Sequence, residues 1–447
     1  IFDVTNEKTD FNGGVVIVKP IEFGTLERFH DQECQYTLQL RGFVDGEPKE
    51  ITRQITSVVD AVAAIEDYDK YIEYGTSETL RFIVSNTTEA GIVFDETDND
   101  PKTYPGKLTQ LLYKRYQKFN GAADKGLILL PCELIADNGI ELKKCIMKFI
   151  ELWGLEDGFK DWVNNYCSFC PTLVDRIVPG YPRANEKECQ EELGYIDNSM
   201  VVGEIFHLWC IDGDDIKALE TAFPAPKAGL NVLYVNSIVP YKQRKVKILN
   251  GSHTCLVPVS YLAGIDTVRE TIEDPQLGKF VREYIFDEVI PTIDIPHDQM
   301  VAYSNSVLER YGNPFVRHEL MSIALNSVTK YKTRNLPVVL QSIEAGSFPK
   351  HALFSLAALI AFYRGKRGNE DIALKDDEWA LDFFKKEWSN FDGSKEACRR
   401  IVTDFLGLEH HWELNLNNLK GVTDFVTDCL YEIETKPMRE ALAFIGC

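Results

Sequence analysis

Lys245, Asn250 and His253 stand as K-x4-N-x2-H inside the stretch KVKILNGSHTCLVP, Lys245 to Pro258. These three residue types can supply the proton donor and the hydrogen-bond donors that reduction of a carbonyl by an incoming hydride needs at its oxygen. A lysine whose pKa is lowered by burial gives the proton to the oxygen in reduction and takes it back in oxidation. An asparagine amide and a histidine N–H can hold the developing oxyanion, and no metal is called for. On a helix, Asn250 and His253 are neighbours on one face. Lys245 lies two turns before His253 and about 80° away around a 3.6-residue helix. The run Asn250 to Thr254 is poor in helix formers, and a buried polar cluster costs free energy unless hydrogen-bonded. The stretch therefore either caps a break in a helix or lines a site. Taken singly, its residues read as a surface lysine, an Asn-Gly break and a core histidine.

Holding such a site takes a scaffold, and two kinds of pattern supply one. In the first third, GGVVIVKP (Gly13 to Pro20), LRFIVSN (Leu80 to Asn86) and GLILLPCEL (Gly126 to Leu134) are continuous β-rich apolar runs. Such runs belong to parallel sheets covered on both faces. The amphipathic segments YPGKLTQLLYKRYQKF and GIELKKCIMKFIELW follow strands, as crossover helices do. Between the first two runs, QYTLQLRGFVDGEPKEITRQIT alternates around Asp45-Gly46 and predicts an inserted β-hairpin. Further strands are expected in TLVDRIVP, SMVVGEIFHLWCI and LNVLYVN. From about Pro240 the periodicity turns helical, in QLGKFVREYIFDEVIPTI, DQMVAYSNSVLERY, RHELMSIALNSV and EWALDFFKKEW. The expected fold is an α/β, Rossmann-like doubly wound domain over 1–238 followed by an all-α substrate domain over 239–447. A dinucleotide fold opens with a strand, a Gly-rich turn and a helix. No G-x-G-x-x-G occurs, so that first strand and loop are expected ahead of Ile1.

Composition narrows the partners. With 48 Lys plus Arg against 69 Asp plus Glu among 447 residues, the net charge is −21. Such a surface repels nucleic acid, and an anionic ligand needs a local basic pocket to hold it. The longest apolar run, HALFSLAALIAFY, is too short to span a bilayer and reads as a buried helix. The 11 cysteines are odd in number and scattered, with one CxxC pair at Cys167 and Cys170. No second pair completes a zinc site. Together with the lack of a basic-then-apolar leader, this points to a reducing cytoplasm.

The motif K-x4-N-x2-H resembles the signature of the polyol-specific long-chain dehydrogenases, the family that includes mannitol dehydrogenase, and the resemblance runs through essentially the whole chain. It is closest to the hexuronate branch. It implies NAD-dependent, metal-independent reduction of a keto-hexuronate such as tagaturonate to the aldonate, and the reverse oxidation. Lys245 would be the general acid/base, with Asn250 and His253 on the reacting oxygen. SNTTEAG, Ser85 to Gly91, resembles the family's cofactor loop, implying roles for Asn86, Thr87, Thr88 and Glu89. PCELIADNG resembles the family segment whose asparagine joins the oxyanion hole, implying that role for Asn138. TLVDRIVPG resembles the D-R-I motif, implying that Asp175 lies at the cofactor and active site. At the strand tip, Lys19 and the nearby Glu22 bear on the choice between NAD and NADP, and the branch leans to NAD. NPFVRHELMSIALNSVTKYKTRNLP is similar to a segment facing the substrate, implying that Lys330 and Arg334 bind it. Here the chain departs from the mannitol dehydrogenases, carrying Asn326-Ser327-Val328 where they have Asp-Gly-Ser, so the substrate is not carried over from that branch. Fructuronate, a neutral polyol, and a non-catalytic sugar-acid binder remain alternatives. Tyr241 and Lys245 also make Y-x-x-x-K, the short-chain dehydrogenase spacing, but that pattern arises easily by chance. The partners implied are a small sugar acid and NAD(H), with no nucleic acid and no membrane. No oligomeric state is legible, and a monomer suffices.

Overall fold

The computed structural model describes residues 1–20, 25–44, 46–88, 90–99, 101–183 and 185–447. The chain divides into two compact units, the first of Ile1–Val44 with Lys49–Val239 and the second built on Pro240–Cys447. Glu22, Asp45 and Glu89 lie outside the described residues.

The first unit is α/β. Its strands are β1 (Val15–Lys19), β2 (Tyr36–Val44), β3 (Glu47–Ile55), β4 (Val58–Ala63), β5 (Phe82–Ser85), β6 (Ile128–Pro131), β7 (Ser168–Phe169), β8 (Thr172–Asp175), β9 (Val201–Glu204), β10 (Leu208–Asp212) and β11 (Val232–Val235). The three apolar runs are β1, β5 and β6. β5, β6 and β7 pair in parallel, and the helix Asn138–Leu152 returns the chain between β6 and β7. Burial of Leu129, Leu142, Ile146 and Phe159 closes one face of that sheet. β2 and β3 are the inserted pair, and β2 also takes β9 in parallel.

β4 is not legible in the sequence. It pairs in parallel with β1, yet its segment VVDAVA carries a carboxylate mid-strand. The Asp60 side chain is satisfied there by Lys70 Nζ and by the Tyr74 hydroxyl, each at 2.6 Å. SMVVGEIFHLWCI, expected as one strand region, is split between two sheets, since β10 pairs with β8 and β11.

The second unit is helical apart from a two-by-two-residue ladder of Lys366–Arg367 with Glu370–Asp371. At its centre, the helix Lys350–Phe362 is buried along nearly its whole length, as its all-round apolar sequence requires. Two expected helices are broken. QLGKFVREYIFDEVIPTI is α-helical over Pro275–Glu283 and π-helical over Tyr284–Val289. RHELMSIALNSV stops after Ile323 and restarts at Ser327, with Asn326 left-handed at φ 51°. Among the described residues, no helix is long and apolar enough to cross a membrane.

Candidate active site

The opening motif occupies a helix that changes pitch within it. Val239–Arg244 is α-helical, Lys245–Asn250 is π-helical, and Gly251–Leu262 is α-helical again. The Gly251 N–H reaches back to Val246 O, an i→i−5 bond. A π turn absorbs one extra residue, so Lys245 and His253 are spaced as though seven residues apart rather than eight. At 100° per residue, Lys245, Asn250 and His253 then fall within about 60° of arc. The 80° offset of a plain α-helix largely disappears, and the three groups share one face.

Where i→i−5 bonding gives way to i→i−4, helix carbonyls lose their usual donors. Side chains collect them here. The Tyr311 hydroxyl lies 2.7 Å from Leu249 O, Ser252 Oγ donates to Ile248 O, and Arg334 Nη1 reaches Asn250 O at 3.4 Å. Thr254 Oγ1 donates to the same Asn250 O at 3.1 Å and accepts from Arg334 at 3.1 Å. Asn335, fully buried, donates from Nδ2 to Gly251 O at 3.0 Å and to the Tyr284 hydroxyl at 2.8 Å, tying the two π segments together. Removing that amide by Asn335→Ala strips a buried hydroxyl of its partner, at a cost of about 1–3 kcal/mol. Thermal unfolding should then start about 2–4 °C lower per kcal/mol lost. An unchanged melting temperature would remove Asn335 as a tie between the segments.

His253 projects among aromatic and cationic groups. Its ring stacks on Tyr311 at 4.3 Å and meets the edge of His318 at 5.0 Å. Burial, then the neighbouring His318, Arg310, Arg334 and Lys330, hold its pKa well below the ordinary histidine value. It is therefore a neutral imidazole near pH 7. Its Nε2 is covered and has no hydrogen-bond partner among the described residues. An unpaired buried imidazole nitrogen is costly, and a substrate oxygen would satisfy it.

Lys330 and Arg334 lie four residues apart on the helix Ser327–Arg334 and so share a face. Both have pKa values lowered by burial, and Lys330 Nζ donates to Ile323 O at 2.9 Å. Lys332 points elsewhere, to Glu413 at 2.8 Å. The basic cluster thus separates into two cations beside His253 and one surface ion pair.

Lys245 is half-buried at the head of the π turn. A search by perturbed pKa alone would choose Lys247 instead, whose pKa burial lowers to about 8. Lys247 is unsuited, because its ammonium is spent on Thr292 O at 2.8 Å, Thr292 Oγ1 at 3.1 Å and Gln341 Oε1 at 2.7 Å.

In the first unit, the Asn138 amide, expected as an oxyanion donor, is engaged with backbone groups. Its Nδ2 donates to Pro131 O, Glu133 O and Thr172 O at 2.9, 3.0 and 3.1 Å, and its Oδ1 accepts from the Gly139 and Thr172 amides at 2.9 Å each. With two N–H groups already serving three acceptors, this buried amide is a bracket joining β6, β8 and the helix between them. Thr87 is likewise engaged, its N–H and hydroxyl both on Glu133 Oε1 at 3.0 and 2.8 Å, while Ser85 Oγ holds the other oxygen at 3.0 Å. Asn86 and Thr88 stay exposed at the carboxyl end of β5, where α/β sheets take ligands. Lys19 ends β1 and pairs with Glu66 at 2.5 Å. Asp175 is buried at the end of β8. Tyr311, His318 and Asn335 carry no motif, and sequence reasoning misses them, since only the fold brings them to His253 and Gly251.

A family model for the mannitol dehydrogenase Rossmann domain matches residues 1–224, and one for the mannitol dehydrogenase C-terminal domain matches residues 237–434. An altronate oxidoreductase of Escherichia coli O6:K15:H31 (strain 536 / UPEC) is 42% identical over 446 residues, covering 98% of this chain and 92% of the relative. Among solved structures, a D-sorbitol dehydrogenase in substrate-free form superposes with a TM-score of 0.80 at 21% identity, over 96% of this chain and 89% of its own. The mannitol 2-dehydrogenase of Pseudomonas fluorescens, in ternary complex with NAD and D-mannitol, gives 0.62 at 21% identity, over 94% and 84%. At that identity the two structures speak for the fold alone, whereas the domain models and the 42% relative speak for descent. The chain belongs to the mannitol dehydrogenase family.

Proposed function

We propose that the protein is an NAD-dependent oxidoreductase that reduces the keto group of a hexuronate such as tagaturonate to the aldonate, altronate, and catalyses the reverse oxidation. The observation that carries the reading is the π turn, which gathers Lys245, Asn250 and the unpartnered Nε2 of His253 onto one face beside Lys330 and Arg334. Lys245 gives its proton to the substrate oxygen in reduction and recovers it in oxidation. Asn250 and neutral His253 donate N–H groups to that oxygen as charge develops on it. Arg334 acts through the backbone of Asn250, and Lys330 meets the substrate carboxylate. The ammonium supplies the acid, so the step asks for no metal.

The residues present fit a nicotinamide dinucleotide at the carboxyl ends of the first unit's parallel strands. Exposed Asn86 and Thr88 would hold it, with Asp175 at the end of β8. When bound, NAD supplies or accepts the hydride. Glu66 already meets the charge of Lys19, which favours NAD over a 2′-phosphorylated cofactor. The eleven free cysteines suit a reducing cytoplasm.

The test is a panel of keto-hexuronates and ketoses with both nicotinamide cofactors. A charge-assisted hydrogen bond contributes about 1.5–3 kcal/mol, so a neutral ketose should lose roughly one to two powers of ten in kcat/KM. Lys330→Met should erase most of that preference. If fructose reacts as well as tagaturonate, the hexuronate reading fails and the neutral polyols take its place.

A further inference from the structure

A second cluster of chemically capable side chains lies in the helical unit, and the dehydrogenase reading makes no use of it. Glu283 ends the helix Pro275–Glu283, His351 lies in the first turn of the buried helix Lys350–Phe362, and Cys447 follows the turn at Ala443–Ile445. His351 Nε2 is 2.9 Å from Glu283 Oε2, and Cys447 Sγ is 3.2 Å from the same oxygen. The three ligand-type atoms lie within 4.8 Å of one another.

The His351 ring is also held from its far side. Glu288 Oε1 accepts from the His351 backbone N–H and from Nδ1, both at 2.7 Å, while Oε2 accepts from the Ala352 N–H at 2.9 Å. Both ring nitrogens thus face carboxylates, Nδ1 toward Glu288 and Nε2 toward Glu283. Glu288 fixes the ring from behind, and an ion would take the place of the proton between Nε2 and Glu283. Carboxylate, imidazole and a ligand atom in line is the arrangement that orients metal-bound histidines. The inner face then presents an imidazole nitrogen, a carboxylate oxygen and a sulfur. A donor set of that mixed softness suits zinc rather than magnesium or calcium.

The nearby lysines do not occupy the centre. Lys279 Nζ donates to Gly446 O at 2.8 Å and stands 3.7 Å from Glu283 Oε1, the other carboxylate oxygen; Lys350 Nζ donates to Ile445 O at 2.6 Å. They fasten the Ile445–Cys447 segment over the cluster. Around tetrahedral zinc, ligand atoms at ordinary bond lengths stand about 3.3–3.6 Å apart. The two separations from Glu283 Oε2, 2.9 Å to His351 Nε2 and 3.2 Å to Cys447 Sγ, would need to open by only about a few tenths of an ångström.

We propose that Glu283, His351 and Cys447 form a structural zinc site, with Glu288 as the positioning carboxylate behind His351 and solvent in the fourth position. The ion clamps the Ala443–Cys447 segment to the helices that carry Glu283 and His351. Without a cation, burial and then the hydrogen bond to Glu283 push the Cys447 thiol up to about 12. Zinc binding therefore deprotonates Cys447 and releases that proton to solvent.

The full chain, stripped with a chelator and then titrated with zinc, should take up one equivalent and melt about 5 °C higher. Cobalt in place of zinc should give a thiolate-to-cobalt charge-transfer band. Cys447→Ala alters only a half-buried side chain and should fold; it should lose both the band and the melting shift. His351→Gln should lose them too, but the proposal does not depend on that variant folding. Absence of the band and of uptake in the parent chain would reduce the cluster to a hydrogen-bonded trio and overturn the site. Undiminished uptake by Cys447→Ala would place the ion elsewhere and overturn the site as well. The initial rate of keto-hexuronate reduction should be the same before and after stripping. A rate lost on stripping and restored by zinc would count against the metal-free chemistry, separately from the clamp.

Discussion

Lys245→Ala is expected to lower turnover by about 10²–10⁴-fold, the usual contribution of a general acid–base group, while leaving the fold and NADH affinity unchanged. The side chain heads the π turn and is half-buried, so truncation opens no large core cavity. Geometry favours this residue over its neighbour. Lys247 shows the lowered pKa but has three acceptors around its ammonium, and the π turn puts Lys245, not Lys247, on the face of His253. The pH dependence has a definite sign. Reduction uses the ammonium, so its rate should fall as pH rises through the lysine pKa; oxidation uses the free amine, so its rate should rise. In Lys245→Ala both limbs should flatten. A variant retaining more than about a tenth of the parent rate near neutral pH would rule out the assignment.

The second large effect is expected at the oxyanion donors. Asn250→Ala should cost roughly 10²–10³ in kcat, as loss of one preorganised donor does elsewhere, with KM changed far less. The reason is that charge appears on the oxygen only as hydride arrives, so the donor acts mainly in the transition state. Asn250 is the cleaner position because its side chain is half-buried. His253→Ala would also unstack Tyr311 and leave a hole beside His318. Equal losses in kcat and affinity for Asn250→Ala would point to ground-state binding instead. Turnover within about threefold of the parent would remove Asn250 from the oxyanion site altogether.

What the sequence alone determined was local and periodic. Runs such as VVIVK and ILLP read as strands and LFSLAALIAF as a buried helix, because their composition leaves no polar face for water. ILLP and the helix are buried, whereas VVIVK is only half-buried and leaves Val18 exposed. The residue types at Lys245, Asn250 and His253 likewise suggest carbonyl reduction without any knowledge of the fold. Their common face was not legible. The K-x4-N-x2-H spacing misses alignment on a 3.6-residue helix, and the π turn that corrects it depends on Ser252, Tyr311, Arg334 and Asn335, three of which come from 60 or more residues along the chain.

The same limit explains Asn138. An Asn-Gly pair after a strand fits an oxyanion donor and a structural bracket equally well in one dimension. Only the approach of β8, which brings the Thr172 N–H and C=O to its amide, makes the bracket visible. Lys330, Lys332 and Arg334 look alike as a basic run, and the helix turns the middle one away to Glu413. Identity and spacing therefore set which groups are available. Hydrogen-bonding and helix pitch, both products of long-range packing, decide which of them share a face.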